Sequence, residues 1–106
     1  MIKAVFYKKN GLFEGFNVSG HAGYAESGND VVCAAVSSAV MLSANLLTEG
    51  LGEKTIVTAE NDTIVLECGG KTADAVIGTL REHLKCISHE YKGTIRITIK
   101  EDKNHA

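Results

Sequence analysis

Two pairs of strand-like segments, each pair joined by a two-residue turn, restrict the fold of this sequence more than any other feature. The first pair is residues 2–9 with 12–19, and the second is residues 54–60 with 63–68. Asn10-Gly11 separates the first pair, and this dipeptide is the strongest local signal for a tight β-hairpin. Asn61-Asp62 separates the second pair in the same way. The sequence therefore predicts two β-hairpins.

Two helices and a last strand complete the pattern. Residues 31–47 are apolar nearly all round and are followed by Gly50 and Gly52, which predicts a buried helix. Residues 71–91 carry apolar side chains at helical spacing, and residues 93–100 alternate between apolar and polar. The apolar positions of the second helix are Ala73, Val76, Ile77, Leu80, Leu84 and Ile87.

The order ββαββαβ predicts an α+β fold of two layers. We expect a mostly antiparallel or mixed sheet of about five strands with two main helices packed on it. The 106 residues are enough for one domain with a core and too few for two, so residues 1–106 are expected to form a single domain. The polar tail, residues 101–106, is expected to fray.

Composition narrows the class of protein. The net charge is −2, so no strong field attracts nucleic acid or an anionic membrane. The first residues lack the apolar stretch of a targeting signal, and polar residues interrupt the apolar segment 31–47, which argues against a membrane span. Three widely spaced cysteines fit a reducing compartment. We therefore expect a cytoplasmic protein.

Candidate chemistry is concentrated in residues 20–37, where Cys33 is the candidate nucleophile. Residues 20–30 hold three glycines and show no periodicity, so they are predicted to form a loop. Asp30 is a suitable N-cap, which would place Val32 and Cys33 within the first three helical positions. Unpaired backbone N–H groups and the helix dipole favour a thiolate there, although a nearby carboxylate at Asp30 would oppose this. The sequence predicts a reactive thiol at Cys33.

His21 is the candidate base for this thiol. The loop that separates His21 from Cys33 contains Gly23 and is flanked by Gly20, so it can fold back toward the helix start. Imidazole exchanges protons near neutrality, and the N–H groups of the helix start could hold an oxyanion. Ser37 follows Cys33 by one helical turn and could orient a partner or hold substrate. We also expect Gly23 and Gly28 to act as hinges of a loop that closes on substrate.

Simpler interpretations of the same residues stay open. A cysteine near a helix start is often a small buried apolar residue, and a glycine-rich loop before a helix can bind phosphate. A metal site could be built from His21, Glu26, Asp30 and Cys33, but the set matches no standard ligand spacing. Cys68 and Cys86 are interpreted as structural.

The segment SGHAGYAESGNDVVCAAVS resembles the signature of the ribosomal-processing cysteine proteases, the Prp or YsxB-like family. That family carries a GHAGYA-type stretch and a G-x-D-x-V-C-A-A-V-S stretch with little between them. Both stretches are present here, beginning at Gly20 and Gly28, and the resemblance extends along the chain in length and element order.

The resemblance implies a function and its residues. The family removes a short N-terminal extension from a large-subunit ribosomal protein, number twenty-seven, by a dyad that falls on His21 and Cys33. Its supporting residues would be Asp30 and Ser37, and Gly20, Gly23, Gly28 and Val32 would belong to the substrate loop and oxyanion region. The resemblance further implies a homodimer, an apolar subsite and no cofactor. A different class of function, a non-catalytic ribosome-associated module that binds phosphate at the loop, remains the alternative.

Overall fold

The computed structural model describes residues 1–20 and 27–102, with positions 27–30 described by their backbone alone. Within these residues two hairpins, two helices and a last strand follow one another in the predicted order. The elements are β1 Ile2–Lys9, β2 Leu12–Ser19, α1 Ser27–Asn45, a π-helical turn Leu46–Gly50, β3 Ile56–Glu60, β4 Thr63–Glu67, α2 Lys71–Glu90 and β5 Ile95–Asp102. The predicted α+β class, with a mixed five-stranded sheet and two helices, is confirmed.

Left-handed backbone at the predicted turn residues closes both hairpins. Asn10 and Gly11 have φ values of 54° and 80°, and Asn61 and Asp62 have 51° and 61°. Positive φ at both central residues matches the right-handed twist of the strands, and asparagine, aspartate and glycine tolerate it best. The turn sequences therefore set the register next to each turn, and a bulge between Tyr7 and Lys8 shifts the rest of the first hairpin by one residue.

The five strands form one sheet in the order β3-β4-β2-β1-β5. Three neighbouring pairs are antiparallel, and β5 runs parallel to β1, with Ile2 opposite Ile95. A parallel neighbour requires a long crossover, and the chain from β1 to β5 supplies both helices for it. The edges of the sheet are β3 and β5.

The core lies between the helices and one face of the sheet. Phe6, Phe16 and Leu66 of the sheet are fully buried and face Val36 of α1 and Ile77 of α2. The N–H of Phe13 in β2 donates a 2.8 Å hydrogen bond to Asp74 Oδ1 in the first turn of α2, which fixes this helix against the sheet. The predicted apolar stripe of α2 contributes its buried residues as expected: Ala73, Ile77, Leu80 and Leu84.

The expectation that the first helix is buried all round is wrong. Val32, Val36 and Val40 of α1 are in the core, whereas Met41 is 55% and Leu42 68% exposed. The sheet has helices on one face, so one side of α1 faces the sheet, another faces α2, and the third is left uncovered. This helix therefore carries more apolar residues than its contacts with the core require.

Residues Val31–Gly50 would be long and apolar enough to cross a membrane by length and composition, with a mean hydropathy of 1.8. The core helix of a soluble protein meets the same criterion, so this property alone is weak support for a span. Here Val32, Val36, Val40 and Leu47 anchor the segment to the core.

The start of the first helix and the end of the last strand differ from their predicted positions by a few residues. The first helix begins at Ser27 and not at residue 31, so Ser27–Asp30 are helical where the sequence predicted loop. The last strand continues to Asp102 because Lys9 of β1 pairs with it, so Glu101 and Asp102 are part of the sheet and not of a frayed tail. Residues 103–106 lie outside the described residues.

Candidate active site

Cys33 lines a cleft between α1 and one end of the sheet. The cleft has a volume of about 300 Å³, and the half-buried thiol of Cys33 is part of its wall. The starts of β1 and β4 and the ends of β2 and β3 meet at this end of the sheet. The lining residues are Ile2, Val18, Gly20, Cys33, Val36, Ser37, Val40, Ala59, Glu60, Asp62, Thr63 and Ile64.

Four core residues on three elements shape this cleft. Ile2 and Val18 form its floor from the sheet, and Val36 and Val40 form one wall from α1. All four side chains are at most 7% exposed, so the walls are rigid and apolar. This part of the cleft suits an apolar side chain of a ligand.

Cys33 is not at the start of its helix, contrary to the prediction. Since α1 begins at Ser27, Cys33 lies six residues further along, beyond the first turn. Unpaired N–H groups and the dipole act only over the first turn, so neither provides the predicted stabilisation of a thiolate. Asp30 is likewise inside the helix and not its N-cap. Several residues before Val31 suit a first turn, among them Ser27 and Asn29, and local sequence alone does not distinguish among them.

Val32 does not have the geometry expected of the oxyanion region. Its side chain is fully buried in the core, and its N–H is past the helix positions that lack an intrahelical acceptor. Gly28 is part of α1 and therefore is not a loop hinge. The structure thus removes the reasons for which these two residues were chosen.

Gly20 directly follows β2, lines the cleft and has a left-handed backbone. Its φ is +85°, and a Cβ placed there would lie 2.9 Å from the carbonyl oxygen of Met1. A side chain would therefore be strained both by the left-handed conformation and by the close approach to β1. The candidate base, His21, directly follows Gly20 in the sequence.

Other predicted site residues fall into two groups. Ser37 lines the same cleft as Cys33, one helical turn further along α1. His21 and Gly23, and with them Glu26 of the candidate metal set, lie outside the described residues, as does the side chain of Asp30. Contact between His21 and Cys33 therefore stays a prediction.

The remaining cysteines lie away from the cleft. Cys68 is buried after β4, and its Sγ accepts a 3.4 Å hydrogen bond from Thr55 Oγ1, as a structural thiol would. Cys86 is exposed on α2, so it is not part of the core. Neither residue lines the cleft that contains Cys33.

Sequence reasoning missed the β3–β4 hairpin as part of the site. Ala59, Glu60, Asp62 and Thr63 line the cleft from the turn of this hairpin, and two of these residues bring carboxylates to it. The turn is far from Cys33 in the sequence, and its asparagine and aspartate were already explained by backbone conformation. Only the strand order places it opposite α1.

A thiol beside a rigid apolar cleft, on an α+β scaffold, has the architecture of a cysteine hydrolase. The family model described as cysteine protease Prp matches residues 1–96. The chain therefore belongs to the Prp family of cysteine proteases. A comparison with curated protein sequences finds no significant match.

Solved structures agree with this assignment. The ribosomal processing protease Prp of Staphylococcus aureus, in complex with a covalently linked product peptide, is 25% identical, with a TM-score of 0.83 over 94% of this chain and 100% of that chain. The same protease with a substrate peptide is 24% identical, with a TM-score of 0.83 over the same shares of both chains. The protein SMU.848 of Streptococcus mutans is 21% identical, with a TM-score of 0.83 over 96% of each chain.

Proposed function

We propose that this cysteine protease removes the short N-terminal extension of large-subunit ribosomal protein number twenty-seven, with Cys33 and His21 as its catalytic dyad. The observation that carries the proposal is the shared cleft of Cys33 and Gly20, because Gly20 is bonded to His21. Consecutive Cα atoms are about 3.8 Å apart, so His21 starts within reach of the cleft. The complexes of the Staphylococcus aureus protease with substrate and product peptides support a peptide substrate.

Because α1 begins before Cys33, the activation of this thiol depends more on His21. Since Cys33 lies beyond the first turn of α1, the dipole gives it little help, and a thiolate at neutral pH needs a nearby base. His21 takes the thiol proton, and the Cys33 thiolate attacks the scissile carbonyl carbon. The imidazolium then protonates the leaving amine, and neutral His21 activates the water that hydrolyses the thioester.

Ser37 and Asp30 act as supporting residues in this proposal. Ser37 shares the cleft and can hydrogen-bond substrate beside the nucleophile. Position 30 precedes Cys33 by one helical turn, so it shares a helix face with the nucleophile. We assign Gly20 and Gly23 to the segment that carries His21 to the substrate.

The surroundings proposed for this activity follow from composition and family. We assign the protease to the cytoplasm, where three cysteines stay reduced, and we assign it no cofactor. We also propose a homodimer, which the exposed apolar side chains of α1 support because such a surface favours association. Two carboxylates at the cleft, from Glu60 and Asp62, disfavour the alternative of a phosphate-binding module.

The test is cleavage of a synthetic peptide that spans the ribosomal extension. Cys33→Ala should abolish cleavage, and His21→Ala should lower kcat/KM by at least about 100-fold, the scale of general acid–base catalysis. Cys86→Ala is the matched control, because this exposed thiol lies outside the cleft and its loss should leave kcat/KM unchanged. Cleavage by a folded Cys33→Ala variant would refute the nucleophile, and an inactive wild type would refute the substrate.

A further inference from the structure

The strand β3 offers an open sheet edge. It is the last strand on its side of the sheet, and all five of its residues are exposed. Ile56 is 63% exposed and Val57 41% exposed, although both are apolar and β-branched. Proteins usually protect such an edge with charges, proline or a bulge, yet β3 contains no proline and its single charged residue is Glu60 at its end. This edge has the properties of a strand that receives a partner.

The hairpin register defines which backbone groups point outward. Glu60 and Thr63 flank the two-residue turn and form a hydrogen-bonded pair, after which bonded and non-bonded pairs alternate. Val57 and Ala59 belong to non-bonded pairs, so their N–H and C=O groups point away from β4. An extended peptide alongside β3 could therefore form four backbone hydrogen bonds with these two residues.

The same edge leads to the nucleophile. Ala59 and Glu60, at the end of β3, line the cleft that contains Cys33 and Ser37. A peptide paired with Val57 and Ala59 would continue past the turn end of the hairpin and into this cleft. The strand and the cleft thus form one continuous path for an extended chain.

We propose that β3 binds the substrate as an added sixth strand, through the outward N–H and C=O groups of Val57 and Ala59, and so carries the scissile bond to Cys33. This inference rests on the proposed function, because the occupant is the peptide that Cys33 cleaves. Backbone pairing supplies affinity without requiring a particular sequence, whereas the apolar cleft selects the side chain near the cut. The segment that lies along β3 is therefore an extended stretch of the substrate.

The first test uses substrate peptides in which one amide at a time is N-methylated. Methylation removes a donor and blocks pairing, so it should raise KM at two positions that are two residues apart. The position between them, whose N–H points away from β3, should tolerate the methyl group. Uniform tolerance, or sensitivity at consecutive positions only, would overturn the proposal.

The second test replaces an outward-facing amide in the protein. Val57→Pro removes one N–H at the edge without breaking a bond to β4, and an edge strand tolerates proline there. We expect KM to rise about tenfold or more, with kcat little changed, which corresponds to about 1.4 kcal/mol of binding. The variant keeps the Val57 C=O that accepts from the peptide, so it should stay sensitive to methylation at both positions, which a strand that had lost its edge geometry would not.

Ile99→Pro on the opposite edge is the matched control. Ile2 N–H bonds to Thr94 O, so the amide of Ile99 points away from β1, and Ile99 is 40% exposed. Its KM should stay within about twofold of wild type. If both variants have the same KM, or if Val57→Pro alters only the oligomeric state, β3 is not the substrate strand. If wild type leaves the unmethylated peptide intact, the proposed function itself fails, and this inference fails with it.

Discussion

At the scale of single residues, exposure and reactivity make opposite predictions for Cys33 and Cys86. Cys86 is exposed and Cys33 is half-buried, so accessibility alone would favour alkylation of Cys86. The thiolate is the nucleophilic form of cysteine, and a thiol paired with imidazole is largely ionised. We expect iodoacetamide at pH 7 to modify Cys33 at least about tenfold faster than Cys86, as measured by peptide mass spectrometry.

The variant His21→Ala separates activation from access. It should slow the alkylation of Cys33 to the rate of Cys86 or below, while Cys86 itself reacts as before. Preferential alkylation of Cys33 that survives in His21→Ala would mean that another group activates the thiol. Buried Cys68 should react only after denaturation.

Sequence reasoning at this scale selects Cys33 and Ser37, whose roles stay predictions, and is wrong about one helix boundary. Cys33 and Ser37 were chosen from spacing and resemblance, and the structure places both on one cleft. The helix start was placed four residues late because Ser27, Asn29 and Asp30 all suit a helix N-terminus. The roles given to Val32 and Gly28 depended on that boundary, so their basis was lost with it.

At the scale of elements, the segment after α1 contains two leucines that differ in burial, and comparing them tests how this segment is anchored to the core. Leu47, in the π-helical turn, is fully buried, and Leu51, just beyond it, is 46% exposed. Leu47→Ala should lower the free energy of unfolding by about 2–5 kcal/mol, because it leaves a cavity in a packed core. Leu51→Ala should lower the free energy of unfolding by less than about 1 kcal/mol. Both changes are measured by urea titration. Equal losses would show that the turn is not anchored through Leu47.

The elements themselves were largely predictable because their signals are local. Asn10-Gly11 and Asn61-Asp62 define both hairpins, since few residues accept left-handed backbone at both turn positions. The periodicity of α2 identified its buried face. The burial of α1 was overestimated, because an apolar composition does not reveal how many neighbours a helix has.

At the scale of the whole molecule, the strand order and the cleft were not predictable from this sequence. No turn signal connects β1 with β5, and their parallel pairing depends on the packing of both crossover helices. The order β3-β4-β2-β1-β5 also decides that the turn of the second hairpin lies opposite Cys33. The candidate nucleophile Cys33 could thus be proposed from the sequence, whereas the residues that line the cleft opposite it could not.

The uncovered side of α1 is the whole-molecule feature that bears on the proposed homodimer. Met41, Leu42 and Leu46 are 55%, 68% and 41% exposed beside an apolar groove between α1 and α2 of about 660 Å³. No charged residue occurs from Cys33 to Thr48, so a second copy can approach this face without burying a charge from α1. The ridge formed by Leu42 and Leu46 lies beside small groove residues, among them Ala35, Ala39 and Ala75, and such a surface can complement itself about a two-fold axis.

Substitution of this ridge should therefore separate assembly from folding. Leu42→Glu places a charge in the contact and should convert a dimer to a monomer in sedimentation velocity, while the monomer still unfolds in one cooperative transition because Leu42 lies outside the core. Leu51→Glu is the control, since Leu51 is also exposed but does not line the groove, and it should leave the sedimentation coefficient unchanged. A wild type that sediments as a monomer at tens of micromolar would refute the homodimer. Dimers that persist in Leu42→Glu would refute this face as the interface, because a buried, unpaired carboxylate on each side of the two-fold axis costs several kcal/mol.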